Sequence, residues 1–460
     1  MRAVLLFLSI LVGAACAPFR PAPVPPPTTP QSYANLQGSW EAPIRWWEAW
    51  NATELTLVME RALAHGYDVR IARARLAQAQ AAARKARAAL FPSVDAELAP
   101  ERRISGGTGL ATTNDPLWGL TGLASYEVDL WGRIDAQTQV ADLAVVQSEE
   151  AVRTAAMTVA AETATAWVEM VAARAQARIL HQQIHEQEAL LAALTERYRA
   201  GTASLVDLET QRKALAETRA ALPALTATER ARQAQLAVLC ALPEAELAST
   251  HSALPAPWPL PRAGLPADLL ETRPDIRAKA AQAASTGLDV ARAKADLLPQ
   301  ITLTGRLSAS GPSLGGIFDT WLVRLAAGLA APILDGGRRL AEVDRAKAAQ
   351  EEAILAYGQT VAKAVAEADT ALAELKAAVD SWERTRERFE AAQRLLAATM
   401  ERFLHGMAEY PDVSAARTQV DSLKRALISQ HATVLARQIA LVRALGRGWQ
   451  HLFPREIDSP

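Results

Sequence analysis

The stretch Trp-Leu-Val-Arg-Leu-Ala-Ala-Gly-Leu at residues 321–329, with the repeat that follows it, decides the fold of this 460-residue chain. Apolar and other side chains alternate there, with Arg324 on the face opposite Trp321 and Leu325, which predicts a β-strand with one apolar face. From residue 338 the apolar period changes to seven, which predicts a long coiled-coil helix. The heptad column is Ile354, Val361, Ala368, Leu375, Trp382, Phe389, Leu396 and Phe403.

The same order of features occurs earlier in the chain, about 205 residues upstream. Arg197-Tyr198, Gly201 and Asp207 align with Arg402-Phe403, Gly406 and Asp412, and other landmarks align at nearly the same offset. The others are Tyr67-Asp68-Val69-Arg70 with Pro274-Asp275-Ile276-Arg277, Leu90-Phe91-Pro92 with Leu297-Leu298-Pro299, and Leu130-Trp131-Gly132-Arg133 with residues 334–338. The chain is therefore expected to contain two copies of one unit.

Each repeat is predicted to hold a helix, a β-hairpin with strands of about ten residues, a long helix and a return helix. Thr53 is a plausible N-cap for a first helix that continues to Ala89. The polar or Gly-rich stretches Gly106–Pro116 and Gly311–Phe318 are expected as hairpin loops. The expected ranges are repeat 1 at 53–242 (hairpin 93–130, long helix 133–200, return helix 205–241), linker 243–267, repeat 2 at 268–446 (hairpin 300–333, long helix 338–405, return helix 412–445) and tail 447–460.

The N-terminal residues point to export from the cytoplasm. Residues 1–15 have one Arg before an apolar run and small residues, as in a secretory signal peptide. Cys16 then follows as in a bacterial lipobox, so it is expected to be lipidated, although Gly13 departs from the usual pattern. The alternative is ordinary cleavage after Ala17. Residues 16–52 form a Pro-rich tether and an N-terminal segment, in which a Trp cluster either contacts a membrane or a partner, or packs against the protein body. The cluster is Trp40, Trp46, Trp47 and Trp50.

Composition excludes several classes of protein. The chain has 49 Lys and Arg against 50 Asp and Glu, without the basic excess of a nucleic-acid binder. Its two cysteines exclude a disulfide framework. Motifs for nucleophilic catalysis, phosphate binding or zinc hydrolysis are absent from the sequence, so we expect neither an enzyme nor a cofactor or metal site.

The hairpins require an environment for their apolar faces. The mature sequence has no apolar stretch of about 18 residues, whereas its amphipathic strands are typical of outer-membrane barrels. The alternative is a soluble domain with a small sheet packed on helices. Four strands cannot close a barrel; two copies supply eight strands and three supply twelve, and a conducting pore favours three. Helices of 68 residues, such as Arg133 to Ala200, would reach roughly 100 Å.

Two further motifs resemble those of a known family. Leu269-Leu270-Glu271-Thr272-Arg273-Pro274-Asp275-Ile276-Arg277 and Leu297-Leu298-Pro299-Gln300-Ile301 are similar to the signature of the TolC-like outer-membrane factors, and most similar to the NodT-type efflux lipoproteins. The Asp129–Arg133 junction and the Arg197–Gly201 turn fit the same resemblance.

The resemblance implies a mixed α/β membrane protein, mainly α, with an internal two-fold repeat. Three copies would form a homotrimer with a periplasmic α-barrel of coiled-coil helices and a 12-stranded outer-membrane β-barrel, four strands from each copy. The resemblance also implies a lipid-anchored protein of the bacterial outer membrane, in contact with its lipid and extending into the periplasm. The implied partners are a periplasmic adaptor protein and an inner-membrane resistance–nodulation–division transporter.

The resemblance also supplies candidate site residues. Asp412 and Phe403 are candidates for a periplasmic gate, since three Asp412 carboxylates would surround one axis and favour cations. This sequence departs from the family pattern nearby, with Ala408 in place of an Arg and Ala415 in place of a second Asp. Asp412 is alternatively a helix-start residue, as we expect for Asp207. The turn residues Arg197, Tyr198, Gly201, Arg402 and Gly406 are candidates for adaptor contact.

The function that these observations favour is a passive exit duct of a tripartite efflux pump. A duct for type I protein secretion is the alternative within transport. A non-conducting periplasmic coiled-coil adaptor is the alternative from another class, although adaptors lack paired amphipathic hairpins. The transported substrate is not predicted, because a tunnel that binds little carries little substrate chemistry in its sequence.

Overall fold

The computed structural model describes residue 19 and residues 23–34, 45–107, 110–243, 253–259 and 264–446. The chain divides into two compact units. The first comprises Met1–Pro27, Arg75–Glu149 and Arg277–Gln359, and the second comprises Thr28–Ala74, Glu150–Ile276 and Thr360–Pro460. None of the helices in the described part of the chain has the combination of length and apolar character that a membrane span requires.

Seven helices of more than two turns and four strands follow one another in the described residues. The helices are α1 Thr53–His65, α2 Tyr67–Ala88, α3 Arg133–Arg199, α4 Leu205–Cys240, α5 Pro274–Ala295, α6 Arg338–Leu404 and α7 Tyr410–Ala444. The strands are β1 Ser93–Gly107, β2 Leu110–Val128, β3 Gln300–Gly311 and β4 Thr320–Ala330. Shorter helical turns lie at Trp46–Trp50, Pro266–Asp268, Leu269–Thr272 and Leu314–Gly316.

The internal repeat is visible in the lengths of these elements. The long helices α3 and α6 have 67 residues each, and the helices α2 and α5 before the hairpins have 22 each. The return helices α4 and α7 have 36 and 35 residues. The fold is therefore mainly α with a duplicated helix–hairpin–helix–helix unit.

The heptad columns of the long helices form buried seams in the second unit. Part of each column consists of small or branched apolar residues that are less than a tenth exposed, as alanine-rich coiled coils permit, whereas Trp382, Phe389 and Phe403 of α6 are only partly buried. The buried members are Val152, Val159, Ala166, Ala173 and Leu180 on α3 and Val361, Ala368 and Leu375 on α6.

The first hairpin differs from the sequence-based expectation. Residues Gly106–Pro116 were expected as a loop, but β1 has 15 residues and β2 has 19, and Pro116 lies opposite Arg102 in the antiparallel pair. The polar composition of this stretch was misleading, because backbone hydrogen bonding between strands does not depend on side-chain polarity. Pro116 is tolerated there because β2 pairs with β3 only from Trp118 onward, so on that side no ladder bond is lost.

The first predicted helix is two helices. Gly66 separates α1 from α2, and a side chain on Gly66 would lie 2.8 Å from the carbonyl oxygen of Leu239, at the end of α4. The chain bends here so that α1 can pack against α4, which the local helical pattern of residues 53–89 does not reveal. The predicted N-cap was also wrong by one residue, because Ala52 occupies the cap position and Thr53 is the first helical residue.

The four strands form one antiparallel sheet in the order β1-β2-β3-β4, within the first unit. The register places apolar residues on one face, with Leu303 opposite Tyr126 and Ala327, and Leu307 opposite Gly122 and Val323. The other face carries most of the Thr, Ser and charged side chains, together with Leu117, Leu123 and Leu322. Strands β1 and β4 are the edges, and each has a partner on one side only.

Four buried tryptophans of the second unit form one aromatic cluster. Trp46 contacts Trp47 and Trp50 edge to face, and Trp50 stacks on Trp258 with 4.5 Å between ring centroids. All four are less than a tenth exposed. The packing alternative for this segment is therefore the one observed at these positions, while Trp40 lies outside the described residues. Gln438 of α7 holds the backbone of Trp258 in place. The backbone N–H of Trp258 donates to Oε1 of Gln438 at 3.2 Å, and Nε2 of Gln438 donates to the Trp258 carbonyl at 2.7 Å.

Candidate functional site at the helical turns

The two turns that end the long helices have the same hydrogen bonds. After α3, Gly201 donates to the Tyr198 carbonyl at 3.0 Å and Thr202 donates to the Arg197 carbonyl at 2.8 Å. After α6, Gly406 and Met407 donate to Phe403 and Arg402 at the same two distances. This pattern is a Schellman motif, which needs a residue in the left-handed region, and the glycines have φ values of +72° and +71°.

Arg197 and Arg402 have equivalent positions in these turns. Each guanidinium donates back to the carbonyl of the residue after the glycine, at 3.4 Å to Thr202 and at 3.1 Å to Met407. A cation at a helix C-terminus also interacts favourably with the helix dipole. Arg197, Gly201, Arg402 and Gly406 therefore have a structural role in the turns, whereas Tyr198 contributes its carbonyl and its side chain is 42% exposed.

The return helices begin with equivalent acidic residues. Asp207 and Ser204 form a capping box, in which each side chain accepts a backbone N–H of the other at 2.9 and 3.1 Å. Asp412 accepts the N–H of Glu409 at 3.2 Å and remains exposed. α7 begins at Tyr410, two residues before the expected start, so Asp412 lies within its first turn. The helix-start role considered for both aspartates is present in this geometry.

Phe403 packs inside its own chain. Its ring lies edge to face against Tyr410, with 6.3 Å between centroids, beside the buried Leu194 and Leu208. Tyr410 donates a 2.6 Å hydrogen bond to the Oε1 of Gln211 on α4, and Gln211 donates in turn to the carbonyl of Gln187 on α3 at 3.0 Å. Burial raises the pKa of Tyr410, so this phenol stays a donor. The sequence interpretation missed Tyr410, although its place just before Pro411 and Asp412 was a usable signal.

A partly open cavity of about 200 Å³ lies beside this cluster in the second unit. Its walls combine apolar side chains such as Leu194 and Met400 with polar ones, among them Arg197, Gln211 and Arg417. Arg417 of α7 forms a 2.6 Å ion pair with Glu186 of α3, so the cavity is bounded on one side by a contact between the two long hairpins of helices. No group of residues suited to hold a metal occurs in the described part of the chain.

The turns also present apolar side chains that sequence reasoning missed. Leu404 is 75% exposed, Val206 64% and Met407 60%, and Leu205 is more than half exposed. We call these four residues the turn surface. Isolated exposed apolar residues are normal, but several at two equivalent turns are typical of a contact surface. All four lie within five residues of Gly201 or Gly406, so their position in the sequence was the available signal.

The Arg-Pro-Asp motif has a structural explanation. The buried Arg273 guanidinium donates two hydrogen bonds to Asp275, at 3.0 and 2.6 Å, one to Glu367 of α6 at 2.9 Å and one to the Ala444 carbonyl of α7 at 3.1 Å. Pro274 begins α5, where its missing N–H costs nothing. The motif therefore ties the start of α5 to α6 and α7.

The strand-to-helix junction of the first repeat is fixed in a similar way. Asp129 accepts the N–H groups of Ile134 and Asp135 at 3.1 and 2.8 Å and thereby caps α3. Arg133 makes a two-bond ion pair with Glu127, and Trp131 donates to the Pro299 carbonyl at 2.6 Å, just before β3. The motif thus joins the two hairpins of the sheet at their helical ends.

The two cysteines differ in what the structure shows. Cys16 lies outside the described residues. Cys240 is buried at the end of α4, its Sγ lies 3.5 Å from the Val58 carbonyl, and burial raises its pKa to about 11. A thiol in this environment stays protonated and unreactive, which agrees with the interpretation of Cys240 as a packing residue.

Comparison with known proteins decides the family. The model of the outer membrane efflux protein family matches residues 58–241 and 265–447, which are the two repeats. The chain belongs to the outer membrane efflux protein family. Its relatives include the pyoverdine export outer membrane protein OpmQ of Pseudomonas aeruginosa, 32% identical over 88% of both chains.

Solved structures show the same fold. The outer-membrane channel OprN is 24% identical, with a TM-score of 0.82 over 93% of this chain and 99% of that one. The open-state MtrE outer membrane channel of Neisseria gonorrhoeae is 22% identical, with a TM-score of 0.83 over 94% and 99%. The expected TolC-like, mainly α fold is therefore confirmed.

Family membership settles the class of function. The chain is an outer-membrane efflux channel that provides an exit duct, and it is not an enzyme. The non-conducting adaptor alternative is therefore wrong, and the efflux names of the family and its relatives favour efflux over type I protein secretion. The turn residues, Asp412 and the Arg273 motif are thus structural parts of this channel.

Proposed function

We propose that three copies of this chain close one duct, with the apolar faces of their sheets against outer-membrane lipid and the polar faces around the lumen. The observation that carries this proposal is a four-stranded amphipathic sheet with two unpaired edges. A small closed barrel needs about eight strands, and eight leave a lumen filled by side chains. Twelve strands from three copies leave the open pore that an exit duct requires.

The experiment uses the full chain, extracted from outer membranes in detergent. We expect light scattering to give three copies in each particle, and planar bilayers to show single-channel conductance. Particles of one copy, or trimers without conductance, would contradict the proposal.

We also propose that Cys16 carries a lipid anchor. Labelling with radioactive palmitate tests this, since Cys16→Ala should lose the label. Labelled Cys16→Ala protein would exclude that anchor.

We propose that the turn surface contacts a periplasmic adaptor, and that an inner-membrane resistance–nodulation–division transporter supplies the energy. The support is the exposure of apolar side chains beside both glycine turns, together with the duplicated geometry that presents them. Burial of such side chains in an interface is favourable by about 25 cal/mol per Å². Arg197, Tyr198, Gly201, Arg402 and Gly406 hold or flank this surface.

The adaptor contact is tested with Leu404→Ser and Met407→Ser. Both variants should remain trimeric but lose cross-linking to the adaptor and efflux in cells. Leu57→Ser on α1 is the matched control, since Leu57 is 63% exposed and lies outside the turns. Unchanged cross-linking in both turn variants would remove the turn surface from the adaptor contact.

We propose that Asp412 contributes a ring of three carboxylates at the periplasmic end, and that Phe403 positions it through Tyr410. The support is that Asp412 is exposed at the first turn of α7, while Phe403 packs behind that turn. Asp412→Asn keeps an acceptor for the Glu409 N–H but removes the charge, and Asp412→Ala removes both. A gate requires that both variants lower the preference for cations in bilayers.

The helix-start role predicts a different outcome. In that case Asp412→Ala alone loses stability, by about 1 kcal/mol as for a lost cap, and selectivity is unchanged in both variants. Asp207→Asn is the control in the first repeat. Unchanged cation selectivity of Asp412→Asn would therefore remove Asp412 from the gate.

The cargo is tested by complementation. OpmQ is named for pyoverdine export, so we propose pyoverdine as the first cargo to test. Expression of this chain in cells that lack OpmQ should restore secreted pyoverdine if the duct accepts that cargo and that pump. A trimeric, conducting protein that restores no secretion would exclude pyoverdine export through that pump.

A further inference from the structure

The two edges of the sheet carry opposite charges on the same face. On this face the edge strand β1 has three carboxylates, Asp95, Glu97 and Glu101, all at odd positions and all exposed, and one arginine, Arg103, so its net charge there is negative. The edge strand β4 has one charged residue, Arg324, which is also exposed. The carboxylates and Arg324 share the polar face of the sheet. Asp95 is directly opposite Leu123, Leu123 is opposite Arg306 and Arg306 is opposite Arg324, and directly opposite residues lie on the same face.

Arg324 lies directly opposite Arg306 of β3. Side chains directly opposite in an antiparallel pair have Cβ atoms about 5 Å apart, and like charges at this distance are destabilising. Neither guanidinium forms an ion pair or hydrogen bond with the residues that the structure describes. The nearest carboxylate in line, Asp95, is two strands away from Arg306, or about 10 Å. A single copy therefore leaves this pair of arginines without a counter-charge.

In a closed barrel of three copies, β4 of one copy pairs with β1 of the next. This step rests on the proposed trimer. Asp95 and Arg324 lie in one row of directly opposite residues across the sheet of one copy. Because barrel strands tilt, this row does not reach Asp95 of the next copy but a residue further along its β1, and we call the number of residues between the two the displacement. The displacement must be an even number of residues, since an odd number would exchange the polar and apolar faces.

The lengths of the strands restrict this displacement. Thr320 lies in line with Ala99, through Gly119 and Ser310, and β1 continues to Gly107, eight residues further. At the other end, Ala330 would lie in line with residue 89, four residues before β1 begins at Ser93. All eleven residues of β4 find partners only if the displacement is four, six or eight residues. The extension of β1 beyond the end of β3 is thus the surface that a staggered neighbour needs.

The tilt and the charges choose among the three. Each displacement accumulates over the four strand spacings of one copy. With a rise of about 3.3 Å per residue and strands about 4.8 Å apart, displacements of four, six and eight residues give strand tilts of about 35°, 46° and 54°. Outer-membrane strands tilt by about 35–45°. A displacement of eight would also place Arg324 in register with Arg103. A displacement of four places it opposite Ala99, with Glu101 only diagonal, about 7–8 Å away. A displacement of six places it directly opposite Glu101.

We propose that Arg324 of one copy forms an ion pair, on the lumen side of the sheet, with Glu101 of the neighbouring copy, and that this pair sets the stagger at which the copies join. The pair supplies the counter-charge that the Arg306–Arg324 pair lacks within one copy. It also disfavours the register that would bring two arginines together. The two edges are complementary to each other, so the occupant of each edge is a second copy of this chain.

Cysteine cross-linking tests the register. Antiparallel residues directly opposite have Cα atoms about 4.5–5.5 Å apart, which suits a disulfide. With copper–phenanthroline as oxidant, Glu101→Cys/Arg324→Cys should give mainly covalent oligomers on non-reducing gels. The pairs Ala99→Cys/Arg324→Cys and Arg103→Cys/Arg324→Cys are the controls for displacements of four and eight. Stronger cross-linking in either control pair would overturn the proposed register.

Charge reversal tests the ion pair. Arg324→Glu and Glu101→Arg should each lower the temperature at which the trimer dissociates in detergent, and the double variant should recover most of the loss. Glu97→Arg combined with Arg324→Glu is the matched control and should not recover it. Additive losses in the Glu101 and Arg324 double variant would overturn the ion pair. If wild-type particles contain one copy, the trimer itself fails; if they contain three but lack this coupling, only the ion pair fails.

Discussion

The Tyr410 hydroxyl donates a 2.6 Å hydrogen bond to Oε1 of Gln211, and the Gln211 amide donates to the Gln187 carbonyl. One buried glutamine thus joins the first turn of α7 to α4 and α3, close to the turns. Its side chain has partners on both of its polar atoms only when all three helices hold this arrangement.

Tyr410→Phe should destabilise the helical end of the second unit. It leaves the buried Gln211 oxygen without its donor, and a buried unsatisfied group of this kind costs about 1–3 kcal/mol. Thermal unfolding of the purified protein measures the loss. Tyr198→Phe is the control, because Tyr198 is 42% exposed at the end of α3. Equal unfolding temperatures for wild type and Tyr410→Phe would contradict the assigned role.

Alanine at either turn glycine should be destabilising. Gly201 and Gly406 have φ near +70°, where a Cβ costs about 1–2 kcal/mol. Gly358→Ala is the matched control, since Gly358 lies inside α6 with open space around it, and alanine there should stabilise the helix by about 1 kcal/mol. Denaturant unfolding of the three variants gives the signs, and a gain in stability at either turn would refute the left-handed geometry.

His431 should make stability depend on pH. Its ring stacks on Trp382 at 5.0 Å, its Nε2 is buried without a partner in the described residues, and burial lowers its pKa. The folded state therefore favours the neutral ring. The stability that this contributes is fully present above about pH 6.5, the unfolded value, and is lost as the pH falls toward the lowered folded value.

The matching variant for this pH dependence is His431→Phe, which keeps a ring against Trp382 but does not titrate. Its unfolding temperature should fall less than that of the wild type between about pH 6.5 and pH 5. Parallel curves for the two proteins over this range would show that His431 does not carry the dependence.

Arg273→Lys should destabilise the contact between α5, α6 and α7. Lysine keeps the charge but cannot reproduce the fork that binds Asp275, Glu367 and the Ala444 carbonyl together, and hydrogen bonds to charged groups contribute about 1.5–3 kcal/mol. Arg384→Lys, in an exposed pair with Glu387, should change the unfolding free energy little. Similar losses in both variants would show that burial of the guanidinium contributes nothing.

Much of the fold was readable from local patterns. The period of two in residues 321–329 and the period of seven after residue 338 were sufficient for strand and long helix, because each follows from which side chains can lie on one face. The candidate turns followed from Arg, Gly and Asp at matching positions of two repeats. The extent of the first hairpin was not readable, since Gly106–Pro116 has the composition of a loop and is nevertheless paired.

The sequence by itself determined the elements, the duplication and the two faces of the sheet, because these depend on residues that are neighbours along the chain. Only the tertiary structure decided the break at Gly66, the contact of Trp258 with Trp50 and the opposition of Arg306 and Arg324. Each of these depends on the distance between segments that are far apart in sequence. Such distances are set by packing and register, which local periodicity does not encode.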